Sequence, residues 1–270
     1  MPAASSGTRL VAPITTAFVA AAESAADVAA AAIRPFFRAV LHPDDKPDDS
    51  PVTIADRTAE LAMRAVLSQR CPDHGILGEE FGLDRPNARL RWVLDPIDGT
   101  RAFITGRPVF GTLVALMDGP TPVIGVIDQP ITGERWVGVA GQPTRFRGGA
   151  GAPRIRPCPT LADAELSCTS PDIFSATQRT MWQRVADAAR RVSWGGDCYA
   201  YGLLAIGQLD VVAEAGLKVW DWAALVPVIE GAGGRITGWD GQALHPDGDG
   251  SVLAVGDPRL HGPALALLAA

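Results

Sequence analysis

Two carboxylates three residues apart, Asp95 and Asp98, close the apolar run Trp92-Val93-Leu94 in the segment Asp95-Pro96-Ile97-Asp98-Gly99-Thr100. Pro96 drives the residue before it out of helical backbone, so the run predicts a strand that finishes on Asp95 and then turns. Both acids can then open into one space beyond the strand's carboxyl end. An isolated Asp-x-x-Asp is usually a turn or a solvated helix face. Here further acidic motifs complete a set: Asp49-Ser50-Pro51-Val52-Thr53-Ile54-Ala55-Asp56, Gly78-Glu79-Glu80-Phe81-Gly82 and Val219-Trp220-Asp221-Trp222-Ala223-Ala224. Oxygen donors with no His or Cys among them favour a hard cation, Mg²⁺ first. Two such ions about 3.5–4 Å apart can activate a water and stabilise the leaving oxygen of an in-line displacement. Gly99-Thr100 adds backbone N–H groups at a helix start, where a phosphate is favoured.

The elements that must position these acids follow from apolar spacing. Residues 13–40 carry Ile14, Phe18, Val28, Ile33, Phe36, Phe37 and Val40 among alanines, which predicts a helix kinked near Pro35. Residues 42–51 read as a polar loop, and 53–70 return to helical spacing. Strands are expected at 75–78, 90–94, 111–117, 123–128 and 135–139, the last three as an antiparallel meander. If the strands before Glu79 and Asp95 are neighbours, the two acids meet at their ends.

The stretch 141–157, rich in Gly, Pro and Arg, marks a junction between an N-terminal α+β unit (1–145) and a C-terminal α/β unit (146–270). In the second unit a short strand at 166–168, helices at 176–191, 199–207 and 223–231, and strands at 210–213 and 252–255 alternate. Asp221 directly precedes helical spacing, where an acid is a good N-cap.

With 47% hydrophobic residues over 270 positions, the chain can bury a sizeable core. A net charge of −6 without any Lys/Arg run gives no electrostatic footprint for nucleic acid. The cysteines (Cys71, Cys158, Cys168, Cys198) are too widely spaced for a zinc site or a disulfide framework. That usage fits a reducing, cytoplasmic setting. No uninterrupted apolar run reaches the ~18 residues of a membrane span, so no membrane is expected as a partner. The histidines (His42, His74, His245, His261) stand outside the acidic motifs, and no Ser has a nucleophile-elbow context.

Asp95-Pro96-Ile97-Asp98-Gly99-Thr100 and Trp220-Asp221-Trp222-Ala223-Ala224 together resemble the two signatures of the inositol monophosphatase superfamily of Mg²⁺-dependent phosphatases, over nearly the whole chain. Gly125-Val126-Ile127-Asp128-Gln129-Pro130 and Gly196-Asp197-Cys198-Tyr199-Ala200-Tyr201 are most similar to its histidinol-phosphatase branch. The resemblance implies an α/β fold, a layered α-β-α-β-α sandwich, usually dimeric. It implies metal ligands at Glu79, Asp95, the Ile97 carbonyl, Asp98 and Asp221, for two or three Mg²⁺ ions. Glu79 and Thr100 would orient and activate a water that attacks phosphorus directly. Asp56 would help to hold a further, weaker metal; read alone it is also an ordinary helix-surface acid.

Asp98, Gly99 and Thr100 would receive the phosphate. Glu214, seven residues before Asp221, stands where the family contacts the alcohol portion of its substrate. Asp197, after two glycines at a helix start, is either an N-cap or a substrate contact. Arg101 stands where many relatives have an uncharged residue, and either meets phosphate or faces solvent. Histidinol phosphate is the expected substrate, because histidinol carries an ammonium and an imidazole that Asp197 and Glu214 could meet as anions. Inositol 1-phosphate or a range of sugar phosphates is the alternative, and a non-catalytic regulator that binds phosphorylated metabolites is the alternative of another class.

Overall fold

The computed structural model describes residues 14–39, 44–45, 51–52, 54–149 and 153–269, with only the backbone described at 44–45 and 51–52. Asp49, Ser50 and Thr53, part of the first acidic motif, lie outside the described residues.

Helices α1 (Thr16–Ile33) and α2 (Ile54–Arg70) form the first layer, with a two-residue antiparallel pair, β1 (Asp44–Asp45) and β2 (Pro51–Val52), between them in sequence. Thr15 caps α1 by accepting the Phe18 N–H at 3.4 Å. The helix buries Ala21, Ala22, Ala25, Ala26, Ala29, Ala30 and Ile33, a stripe at helical period whose small side chains let it lie close to α2 and the sheet below. It ends where Pro35 enters a short 3₁₀ turn at Arg34–Phe36, so the expected kink is a termination.

The same alanines raise mean hydropathy enough that Thr16–Phe36 matches a membrane span by length and composition, although Glu23 and Asp27 interrupt it. The expectation of no such segment is corrected to that extent. In the fold this helix packs on protein: its apolar stripe is core, and Arg135 reaches it through Asp27 (2.8 Å) and the Glu23 carbonyl (3.3 Å).

The second layer is a seven-stranded sheet of β3 (Gly75–Gly78), β4 (Gly82–Asp84), β5 (Leu90–Asp98), β6 (Gly111–Asp118), β7 (Thr121–Gln129), β8 (Glu134–Val139) and β9 (Arg145–Arg147), in the order β4-β3-β5-β6-β7-β8-β9. A short helix, α3 (Thr100–Ile104), leaves the end of β5. The meander is present and gains β9 at its edge. β3 runs parallel to β5 with Gly78 opposite Leu94, so Glu79, just past β3, comes beside Asp95; β5 does not finish on Asp95 as expected but continues, after an irregularity, to Asp98.

The C-terminal elements are β10 (Glu165–Cys168), α4 (Ala176–Ala188), β11 (Arg191–Trp194), α5 (Asp197–Ala205), β12 (Val211–Glu214), α6 (Val219–Trp222), α7 (Leu225–Gly231), β13 (Arg235–Thr237), β14 (Val252–Val255) and α8 (His261–Ala269). Their five strands order as β11-β10-β12-β14-β13, with β10, β11 and β12 parallel. α5 and α7 fill the space between the two sheets, where Val93, Leu113 and Trp136 meet Tyr201, Val212, Trp222 and Val228 in one core. α4 and α8 cover the outer face. The result is the layered α-β-α-β-α arrangement.

Two expected boundaries move for local reasons. The helix expected over 176–191 stops at Ala188, and Arg191–Trp194 becomes an edge strand, largely exposed and so without an apolar pattern to announce it. The helix expected over 223–231 begins at Leu225 as α7, set off from the preceding α6 where Pro227 has no N–H for the Ala223 carbonyl.

Candidate active site

The acids gather at carboxyl ends of strands, on the side where open α/β sheets leave a crevice. Asp95 is 2% exposed. Asp98 follows a break in the β5–β6 register that lies between the two acids. The Thr112 hydroxyl, fully buried on β6, donates to the Pro96 carbonyl at 2.7 Å and holds that irregular turn. Gly99 then takes a left-handed conformation (φ 87°), which only glycine adopts without strain. Among the described residues, carboxylate oxygens of Asp95, Asp98 and Asp221 lie within 4.8 Å of one another.

Asp221 arrives from the other half of the chain as the third residue of α6 rather than its N-cap. Its carboxylate accepts the Lys218 N–H at 2.6 Å, the backward half of a capping box. Glu79 leaves β3 with its N–H on the Leu94 carbonyl (3.2 Å). Asp56 is 1% exposed in the first turn of α2, so it is not a helix-surface acid.

The electrostatics bind these positions into one cluster. Burial pushes the Asp95 carboxyl far above the usual carboxylate range, and Glu79, Asp98, Asp221 and Asp56 push it further. Burial and the neighbouring Asp221 raise Asp98 to about 8. Burial raises Asp221 to about 7 even though the Lys218 N–H opposes the shift. A buried carboxylate without a partner is costly, and Asp95 Oδ1 is buried with no hydrogen-bond partner among the described residues. Hard oxygen donors, one of them orphaned, are what a divalent cation requires, so the residues fit the ion that the motifs imply.

The remaining expected residues border this cluster. The Thr100 hydroxyl donates to the Ile97 carbonyl at 3.1 Å, so those two positions face each other. Arg101 is exposed on α3. Asp197 opens α5 in a left-handed conformation (φ 43°), but the N-cap is Gly196, with no side-chain cap bond. Its carboxylate instead lies over Gly99, where an added Cβ would sit 2.8 Å from its Cγ. Burial, with Asp98 and Glu214 nearby, raises Asp197 to about 8. Glu214 ends β12 at 4% exposure, accepting the Thr169 N–H at 2.6 Å and the Tyr201 hydroxyl at 2.9 Å.

Sequence reasoning missed the supports of this site: Thr112, Tyr201, Thr169 and the Cys198 N–H, which donates to Asp98 Oδ2 at 2.5 Å. That last bond lets a β5 acid serve the first turn of α5, across a hundred residues of chain. Only Cys198 and Tyr201 had a signal, both standing in the Gly196–Tyr201 motif already singled out.

The family model described as the inositol monophosphatase family matches residues 11–269. The chain belongs to that family and is a metal-dependent phosphatase acting on a small phosphorylated substrate. It is 47% identical to the bifunctional phosphatase IMPL2, chloroplastic, of Arabidopsis thaliana over 257 residues, covering 92% of this chain and 74% of the relative. It is 38% identical to a histidinol-phosphatase of Mycobacterium tuberculosis, covering 80% and 84%. A solved inositol monophosphatase from Zymomonas mobilis superposes with a TM-score of 0.86 at 50% identity, covering 94% of this chain and 98% of the other.

Proposed function

We propose that the chain hydrolyses histidinol phosphate to histidinol and phosphate, the dephosphorylation step of histidine biosynthesis, with Mg²⁺ as its cation. The observation that carries the substrate is the pair Asp197 and Glu214, a half-buried and a buried acid beside the metal cluster. The positive charge of an ammonium and an imidazole favours the ionised form of these raised carboxyls and gains charge-assisted hydrogen bonds from it, whereas a neutral polyol does neither. Relatives named histidinol-phosphatase, 35–38% identical, support the same reading.

Glu79, Asp95, Asp98, Asp221 and the Ile97 carbonyl are the donors for two or three ions, with Asp56 assisting the weakest. Bound Mg²⁺ supplies the means to activate water and to stabilise the leaving oxygen. Glu79 and Thr100 orient the attacking water. Asp98, Gly99 and Thr100 seat the phosphate, and Asp197 and Glu214 hold the amino-alcohol end. We place the enzyme in the cytoplasm as a homodimer.

Inositol 1-phosphate is the second reading, favoured by the Zymomonas mobilis structure at 50% identity. Phosphate release from histidinol phosphate, inositol 1-phosphate and sugar phosphates under saturating Mg²⁺ decides between them. The expected order puts histidinol phosphate first in kcat/KM, and the reverse order overturns the assignment. Asp197→Asn should lower kcat/KM for histidinol phosphate about 10-fold and that for inositol 1-phosphate by less than about threefold, the scale of one hydrogen bond to a charged group.

A further inference from the structure

Glu60 has no exposed surface and lies on the same face of α2 as Asp56, one turn further along. Its bonds go to another element altogether. Oε2 accepts the Glu80 N–H at 2.8 Å and Oε1 accepts the Phe81 N–H at 3.3 Å. Arg64, a turn later again, donates from Nε to Oε1 at 2.7 Å and from its fork to the Gly82 carbonyl. Gly78 completes the fit, because a Cβ there would sit 2.0 Å from Glu60 Oε1. The Glu60–Arg64 pair therefore touches the residue before Glu79 and the three after it.

A buried ion pair is weak evidence of stabilisation by itself, since desolvation offsets most of the attraction. The distinctive feature here is where the bonds land. They fix the course of the β3–β4 turn, and the residue that turn presents is Glu79, whose charge is felt at Asp95. We propose that Glu60, braced by Arg64, is a positioning residue that aims Glu79 at the acidic cluster and thereby sets its affinity for divalent cations. This rests on Glu79 being a donor at that cluster. One helix then serves the site twice: Asp56 borders the acids directly, and Glu60 acts through the turn.

The test compares wild type, Glu60→Gln, Arg64→Gln and Glu79→Gln after chelator treatment. Each is titrated with Mn²⁺ by EPR, melted without metal, and assayed across Mg²⁺ concentration. Glu60→Gln keeps the shape but turns an amide N–H₂ toward the donors it formerly accepted. It should weaken cation binding about 10-fold or more, as loss of a group that orients a metal ligand does. The Mg²⁺ needed for half-maximal rate should rise in proportion, with kcat recovered at saturating Mg²⁺. Arg64→Gln should shift both in the same direction by less, and it carries the test alone if Glu60→Gln does not fold. In Glu79→Gln added Mg²⁺ should not restore kcat.

A merely structural role would lower the metal-free Tm and leave cation binding by the folded protein unchanged, and that result overturns the proposal. Should Glu79→Gln bind Mn²⁺ and turn over like wild type, the premise about Glu79 fails and the proposal falls with it. That outcome is distinguishable from failure of the clamp, in which Glu79→Gln is impaired and Glu60→Gln is not.

Discussion

Asp95 and Glu214 are both buried acids on strands, and the fold treats them in opposite ways. Glu214 is held by the protein, with Thr169 N–H on one oxygen and Tyr201 hydroxyl on the other. Asp95 has an oxygen with no hydrogen-bond partner among the described residues and faces four other acids. Burial pushes both carboxyls upward, but the next influences differ. Around Asp95 they are like charges that push further, and around Glu214 they are hydrogen bonds that pull back. The protein itself completes the surroundings of Glu214, whereas Asp95 is left for a cation to complete. The metal end of the site thus stores unfavourable electrostatics, and on the substrate side Asp197 shares them while Glu214 is relieved by its hydrogen bonds.

The sharpest way to break this contrast is Asp95→Asn. It should cost turnover more than the about 10–100-fold typical of losing a group that only orients a metal ligand. Without metal it should also raise Tm, because it removes a carboxyl that burial and Glu79, Asp98, Asp221 and Asp56 force to take up a proton on folding. Near-normal phosphate release, or a metal-free Tm that drops, would show that Asp95 is not the strained donor described here.

A smaller effect comes from pH. Folded Asp98 and Asp197 titrate at about 8 and Asp221 at about 7, all above the unfolded aspartate value of about 3.9. Between these limits the folded protein binds more protons than the unfolded chain, so stability falls as pH rises. The Tm of chelator-treated protein should therefore decline from about pH 4 toward about pH 8, the window set by those values. Divalent cation should flatten or reverse the slope, since cation and proton compete for the same oxygens. A metal-free Tm that climbs through this range would contradict the account.

The same contrast explains what could be read from the chain. The Asp95–Asp98 motif is local, and the meeting of Glu79 with Asp95 follows from two apolar strands whose ends each carry an acid; the parallel β3–β5 register realises it. The α+β and α/β halves follow from alternating periods along the chain, while the layered sandwich is what the resemblance of the two signatures implies. Asp197 over Gly99, the Cys198 N–H on Asp98 and the Glu60 clamp join segments far apart in sequence. No periodicity encodes such contacts, because each is a few hydrogen bonds or one missing Cβ. The edge strand β11 was illegible for a related reason: its residues are largely exposed, so it lacks the apolar alternation by which a strand is recognised.

Tyr201→Phe gives the smallest effect and the finest discrimination. It removes the hydroxyl that fills Glu214 Oε2 while leaving the Thr169 N–H on Oε1. One buried hydrogen bond lost with its acceptor left in place should cost about 1–3 kcal/mol of stability, read as a lower Tm. Since Glu214 lies on the substrate wall, KM for histidinol phosphate should move while kcat at saturating substrate and the Mn²⁺ affinity hold. The signs therefore oppose those of Asp95→Asn: stability falls where that variant raises it, and cation binding persists where that variant loses it. If Tyr201→Phe weakens Mn²⁺ binding as well, the two acids belong to one electrostatic unit, and the division between a strained Asp95 and a satisfied Glu214 does not hold.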